Sequence, residues 1–356
     1  MAARRAARKE ERWQEVTTQP AAPVRQRGRK LAEGDDVTDA NTWDDVEWRP
    51  DEVEAAEAQV RSATAASDAV ARACADATAR WDEHYAVNLT NYHDRRYLLN
   101  EFEPLAAAAA ASAELTVLEA GCGAGNSIFP LLAASPRIRC IGFDISPRAI
   151  QLVRERLARE GLHDRARALV WDVSTPPPTA ELPPLPVADV VLAIFTLSAL
   201  APSALPAAFA HLHATLRPGG VLLLRDYGRL DLKQMKFAGT RGSQLSEVGG
   251  GGGDGGDGVD GGDGVTDGGG NGADSSGSGE RDANCRRGSE WYARGDGTTV
   301  LFFTTDRVRA LATEAGFEVD DCRYDRRLVV NRRDGTRMQR VWVVSVLRKA
   351  ADTSQK

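Results

Sequence analysis

A chain of 356 residues with 42% hydrophobic and 27% charged content can bury one large core or two ordinary ones, which fits a soluble globular protein and excludes fibrous and membrane classes. The net charge of −6 argues against a nucleic-acid partner only until the acids are located. Six aspartates lie in the stretch "GGGGGDGGDGVDGGDGVTDGGGNGAD" that starts at Gly249, and without them the body is about neutral with its positive charge clustered.

Residues 1–50 are polar and arginine-rich. "MAARRAARKEERWQEV" has charge where a secretory signal needs an apolar stretch, and Glu10, Glu11 and Glu15 argue against a transit peptide. The cytoplasm is the expected location, with organelle targeting left open. Disorder is expected up to "NTWDDVEW", whose two tryptophans mark a docking segment. Residues 51–104, rich in alanine and charge, read as a helical extension packed on a core. Residues 105–247 repeat a strand–helix pattern: "LTVLEA", "IRCIGFDIS", "ARALVWDV", "VADVVLAIFTLSAL" and "GGVLLLRDYG" are strands, with "PRAIQLVRERLAREG" and "LPAAFAHLHATLRP" as helices between them. Such alternation predicts an α/β fold with a doubly wound, mostly parallel sheet.

Residues 248–287 form a glycine-rich insertion that has few side chains for a core and reads as a flexible surface loop. In residues 288–349, "TTVLFFTTD" predicts a strand, followed by a helix and a terminal hairpin turning at Asp334-Gly335 that completes the sheet. The cysteines Cys74, Cys122, Cys140, Cys285 and Cys322 form no C-x-x-C pair, so they read as reduced thiols and no metal site is expected.

Gly121, Gly123 and Gly125 follow the first core strand, where a doubly wound fold holds its ligand. Their G-x-G-x-G spacing differs from the dinucleotide pattern, and on its own fits a tight packing turn equally well. Asp144 ends the second strand, where a carboxylate can accept both ribose hydroxyls; Asp172 ends the third, where it can accept from an adenine amino group beside the Val173 N–H. Each acid alone also fits a helix cap or a solvated turn, but three successive strand ends carrying this set point to adenosine. Glu119 precedes the turn, and no lysine or arginine stands within it to meet a pyrophosphate. Those surroundings suit the ammonium and sulfonium of S-adenosyl-L-methionine, with Ile194-Phe195 beside its methionine part.

The stretches "NTWDDVEW", "HDRRYLLNEF", "LEAGCGAGNSIFPLL", "FDISPRAIQLV", "IFTLSAL", "RPGGVLLLRDYGRLD", "WYARGDGT" and "RRLVVNRR" resemble the tRNA N3-methylcytidine methyltransferases. The resemblance covers residues 41–349 apart from the insertion, and "RDYGRLD" with "YARGDGT" is its specific part. It implies a seven-stranded, Rossmann-like class I methyltransferase and cofactor contacts at Trp81, Tyr85, Gly121, Asp144, Asp172, Val173 and Ile194. Trp81 and Tyr85 stand one helical turn apart, so both rings can cover one ligand; an aromatic stripe packing the extension is the alternative. The "NTWDDVEW" segment is similar to the subgroup that modifies threonine tRNAs.

The resemblance further implies a tRNA substrate, with a helper protein such as an aminoacyl-tRNA synthetase as a further partner. Because N3 is on the Watson–Crick edge, the target base must be unpaired or turned out of its stack, which favours an anticodon-loop cytidine. Asp226 is expected to stabilise the cationic product base, with Arg95 and Tyr92 positioning the base or its phosphate. Where the family has two phenylalanines and a lysine before Asp94-Arg95, this chain has Asn91, Tyr92 and His93. Tyr92 can still stack on a base, whereas His93 is a weaker cation near neutral pH. Arg294 and the cluster Arg326, Arg327, Arg332, Arg333, Arg337 and Arg340 are the candidates for the tRNA backbone. Two rivals share these features: a methyltransferase acting on a small molecule or protein, and a non-catalytic RNA-binding adaptor.

Overall fold

The computed structural model describes residues 28–62, 76–87, 94–178, 180, 187–239 and 290–351. Tyr92, with Asn91 and His93, lies outside the described residues, as do the insertion, Cys74, Cys285 and residues 1–27.

Ten strands are described: β1 Thr42–Asp44, β2 Leu115–Ala120, β3 Ile138–Asp144, β4 Ala166–Val170, β5 Ala188–Ile194, β6 Leu216–Tyr227, β7 Trp291–Ala293, β8 Thr299–Leu301, β9 Phe317–Asn331 and β10 Thr336–Lys349. The helices are α1 Pro50–Ser62, α2 Ala77–Val87, α3 Leu98–Glu101, α4 Glu103–Ala110, α5 Ile128–Ala134, α6 Pro147–Glu160, α7 Leu205–Thr215, α8 Leu232–Gly239 and α9 Thr305–Glu314. Eight strands form one sheet in the order β1-β9-β10-β6-β5-β2-β3-β4. From β6 through β4 every pairing is parallel, and the hairpin β9–β10 joins antiparallel to β6.

Parallel strands covered on both faces need nearly continuous apolar sequence, and "LTVLEA" and "ADVVLAI" supply it. Successive side chains alternate between two cores. Leu118, Phe143, Val191 and Leu222 belong to the one that includes residues of α7 and α9, while Val117, Ile138, Leu192 and Leu223 belong to the one with residues of α5 and α6. Helix α6 is locally determined: the Ser146 hydroxyl accepts from the Ala149 N–H at 3.1 Å, Pro147 opens the first turn, and Gly161 closes the helix at φ +66°. α4 runs across the junction between residues 104 and 105, so the extension enters the core through a helix.

Two details depart from expectation. The docking segment contributes an eighth strand: β1 pairs antiparallel with β9 and covers the sheet's edge, held by the Trp43 indole N–H donating to the Val37 carbonyl at 2.8 Å. The strand in "TTVLFFTTD" stays out of the main sheet, because β8 pairs with β7 in a small ladder of its own. Among the described residues no helix is long and apolar enough to cross a membrane.

Candidate functional site

β2 and β5 lie side by side while their onward connections run to opposite sides of the sheet, which opens a crevice at their carboxyl ends. The glycine turn sits there. Gly121 and Gly123 have φ of +64° and +53°, and an added Cβ would stand 2.4 Å from the Thr196 side chain or 2.5 Å from the Tyr85 hydroxyl. Glycine is therefore what lets these two side chains close on the turn. The resulting cavity is lined by Trp81, Tyr85, Asp144, Asp172, Phe195 and Thr196 among others, and among the described residues no lysine or arginine is in its lining.

Of the acids, Asp144 is buried at 7% exposure, accepting from the Gly123 N–H through Oδ2 and the Ser146 N–H through Oδ1, both at 2.9 Å. Burial outweighs these bonds and raises its pKa to about 6. Asp172 stands two residues beyond the end of β4 and accepts from the Ser174 N–H and hydroxyl through Oδ1, at 2.9 and 2.7 Å. Val173 also lines the cavity, its carbonyl accepting from the His211 ring at 2.9 Å.

Ile194 is 1% exposed and packs in the core that holds α5 and α6, so its side chain does not reach the cavity. Phe195 and Thr196 line it instead. Phe195 has φ +56°, a left-handed conformation that a bulky side chain rarely adopts, and its ring meets Tyr227 at 5.1 Å. Of the Ile194-Phe195 pair that the sequence placed beside the methionine part, it is the Phe195 side chain that lines the cavity.

On the open side, α2 brings Trp81 and Tyr85 over the cavity with ring centroids 6.1 Å apart. Asp82 on the same helix accepts from the Ser146 hydroxyl at 2.5 Å and the Arg148 N–H at 2.9 Å, which ties α2 to the start of α6. His84 donates to Asp296 at 3.1 Å. Burial works against the ionised Asp296, but the bonds from His84 and Thr298 outweigh it and hold the carboxyl well below the usual range.

Asp226 stands next to the carboxyl end of β6. It is 0% exposed and outside the cavity's lining, accepting from the Ser198 N–H through Oδ2 and the Tyr227 N–H through Oδ1, both at 2.9 Å. These bonds anchor the segment that follows Thr196. Burial raises its pKa to about 6. Arg95 is turned inward as well, donating to Ser127 Oγ at 3.2 Å and Glu119 Oε1 at 3.4 Å, with its guanidinium 6.0 Å from the Phe195 ring. Burial raises the Glu119 carboxyl to about 7 despite Arg95.

The arginine cluster divides in two. Arg327 pairs with Asp325, Glu101 and Asp44, and Arg340 with the fully buried Asp231 at 2.9 Å, so both are structural. Arg332, Arg333 and Arg337 remain exposed at the tip of the β9–β10 hairpin, and Arg326 lies over Tyr324 at 4.7 Å. Arg294 faces the Tyr227 ring at 5.8 Å.

A family profile described as a methyltransferase domain matches residues 118–222, which hold the glycine turn, Asp144 and Asp172. The chain is 33% identical over 348 residues to the tRNA N(3)-methylcytidine methyltransferase Mettl2 of Drosophila melanogaster, covering 94% of this chain and 91% of that protein. It is 33% identical to the tRNA(Thr) (cytosine(32)-N(3))-methyltransferase of Saccharomyces cerevisiae over 89% of this chain, spanning 45% of that longer protein. With the human tRNA N(3)-cytidine methyltransferase METTL6 the identity is 31%, over 76% of this chain and 79% of that one. The identity to Mettl2 spans both the extension and the core, and the chain belongs to the tRNA N3-methylcytidine methyltransferase family.

Proposed function

We propose that this chain transfers a methyl group from S-adenosyl-L-methionine to N3 of an anticodon-loop cytidine in tRNA, with a threonine tRNA as the first candidate. The observation that carries this reading is a strand-end cavity whose lining, among the described residues, contains two aspartates, Asp144 and Asp172, and no cationic side chain. A pyrophosphate would meet two carboxylates and, among the described residues, no cationic side chain, whereas an adenosine bearing a sulfonium and an ammonium finds acceptors and aromatic faces. The tRNA target is supported by family membership and by the named activities of the relatives.

When bound, S-adenosyl-L-methionine supplies an electrophilic methyl group. Asp144 and Asp172 accept hydrogen bonds from the adenosine, the Val173 N–H meets its ring, and Gly121 lets the backbone approach. Trp81 and Tyr85 cover the site and keep water out. The cytosine N3 carries its lone pair unprotonated near neutral pH, so no side chain need act as a base and positioning dominates. Phe195 and Tyr227 offer the base apolar faces, and Arg294 beside Tyr227 is suited to a phosphate. Asp226 and Arg95 are positioning residues: one holds the segment from Thr196 to Ser198, the other steadies Phe195 and Glu119. Tyr92 is assigned a stacking role on the base by family resemblance.

Residues 51–104 serve as cofactor lid and tRNA contact, and the exposed hairpin arginines Arg332, Arg333 and Arg337 meet the RNA backbone. An aminoacyl-tRNA synthetase or similar protein is the candidate helper, and the cytoplasm the expected compartment. The test is nucleoside mass spectrometry of a purified tRNA incubated with the chain and methyl donor. Appearance of 3-methylcytidine supports the assignment; a methylated protein or small molecule with unmodified tRNA refutes it.

A further inference from the structure

The turn between β7 and β8 touches both the cofactor lid and the face assigned to RNA. It is closed by Arg294 N–H donating to the Thr298 carbonyl at 2.7 Å and Gly297 N–H to the Arg294 carbonyl at 3.0 Å. Asp296 stands at its centre. Its Oδ1 accepts from the Thr298 N–H at 3.0 Å and the Thr298 hydroxyl at 2.7 Å, which leaves Oδ2 pointing away from the turn to accept from His84 Nδ1 at 3.1 Å.

His84 sits on the lid helix against both rings that cover the cavity, with its centroid 5.2 Å from Trp81 and 5.4 Å from Tyr85. The Arg80 side chain from the same helix packs so closely on Gly297 that a Cβ there would lie 2.8 Å from it. On its far side the turn carries Arg294 to the Tyr227 face, and Thr299 both lines the cavity and donates to the Ala199 carbonyl at 2.9 Å. Lid, turn and RNA-side cation are thus one connected set of contacts.

We propose that the His84–Asp296 hydrogen bond couples the two substrates: closure of α2 on the methyl donor fixes the turn and with it Arg294, so that each ligand tightens the binding of the other. His84 is a positioning residue for the RNA, acting through Asp296. The inference rests on the function proposed above, because it needs an adenosyl ligand in the cavity and RNA at Arg294. Coupling of this kind is reciprocal, so it can be read from either ligand. A hydrogen bond to a charged acceptor in a partly buried setting is strong enough to carry a roughly tenfold effect.

The experiment measures the affinity of S-adenosylhomocysteine by calorimetry with and without a purified tRNA transcript, and the transcript's affinity with and without S-adenosylhomocysteine. In the unmodified chain each ligand should tighten the other about tenfold. His84→Phe keeps a ring against Trp81 and Tyr85 but has no donor, and should lower that factor to within about twofold while each ligand alone still binds. His84→Asn, whose amide can donate where Nδ1 does, should restore much of it, a rescue that a purely structural role would not produce. Binding of both ligands with no mutual effect overturns the coupling and leaves the function intact, and so does coupling that survives in His84→Phe. Failure of both ligands to bind the unmodified chain overturns the function and the coupling together.

Discussion

Replacing Asp144 with asparagine tests how the cavity holds the adenosine. In the free protein each carboxylate oxygen already accepts one backbone N–H, from Gly123 and from Ser146, and keeps lone-pair capacity for a ribose hydroxyl. Asparagine retains one acceptor and turns an amide N–H against the other backbone donor. One ribose bond is lost and the second is made to a neutral group, for a combined cost of about 2–4 kcal/mol, or roughly 30- to 700-fold in affinity. The assay is calorimetric titration with S-adenosylhomocysteine, with thermal melting as the check on folding. Protonation should act in the same direction. Burial places the Asp144 carboxyl at about 6, so affinity in the unmodified chain should fall about tenfold per pH unit below that value and level off above it. Asp144→Asn should lack that dependence. An asparagine variant within about threefold of the unmodified chain, or a binding curve flat from pH 5 to pH 7, would refute the ribose role of Asp144.

Gly123→Ala forces a left-handed residue, costing about 1–2 kcal/mol, and drives its Cβ to 2.5 Å from the Tyr85 hydroxyl; donor affinity should drop at least about tenfold while melting shifts by only a few degrees. For Glu119, the unfolded chain releases its proton near 4.5 while the folded chain holds it to about 7, so folding weakens as pH rises through that window. Glu119→Gln should therefore remove this part of the pH dependence of stability, read in denaturant titrations across the window, and an unchanged dependence would contradict the burial account. The two kinds of arginine should separate cleanly. Arg333→Ala with Arg337→Ala should lower the slope of log affinity for tRNA against log salt by about 2, whereas Arg340→Ala should lower stability by about 3–5 kcal/mol by stranding buried Asp231.

Local signals explain why much of the sheet was legible in the sequence. Strand β2, the glycine turn and the β3–α6 unit announce themselves through apolar runs, a serine cap, a proline and a closing glycine, all within a few residues of where they act. β1 was not legible as a strand, because three residues have no periodicity and what makes them a strand is pairing with β9 far along the chain. Arg327 and Arg332 look alike as letters; partners on α3, β1 and β9 turn the first inward, while the second stands exposed at the hairpin tip. The bond from the Ser198 N–H to Asp226 joins two connections and could not be read from the sequence. Ile194 ends β5 and Phe195 follows it in a left-handed bend, so one side chain stays in the core while the other lines the cavity. The His84–Asp296 contact joins residues 212 positions apart and has no sequence signature.

The most direct measurement compares two ligands in one calorimetric titration: S-adenosylhomocysteine, and NAD as an adenosine carrying a pyrophosphate. A cavity lined by two aspartates and, among the described residues, no cation should bind the first and show no heat with the second. Tight binding of NAD with none of S-adenosylhomocysteine would contradict the account at its root.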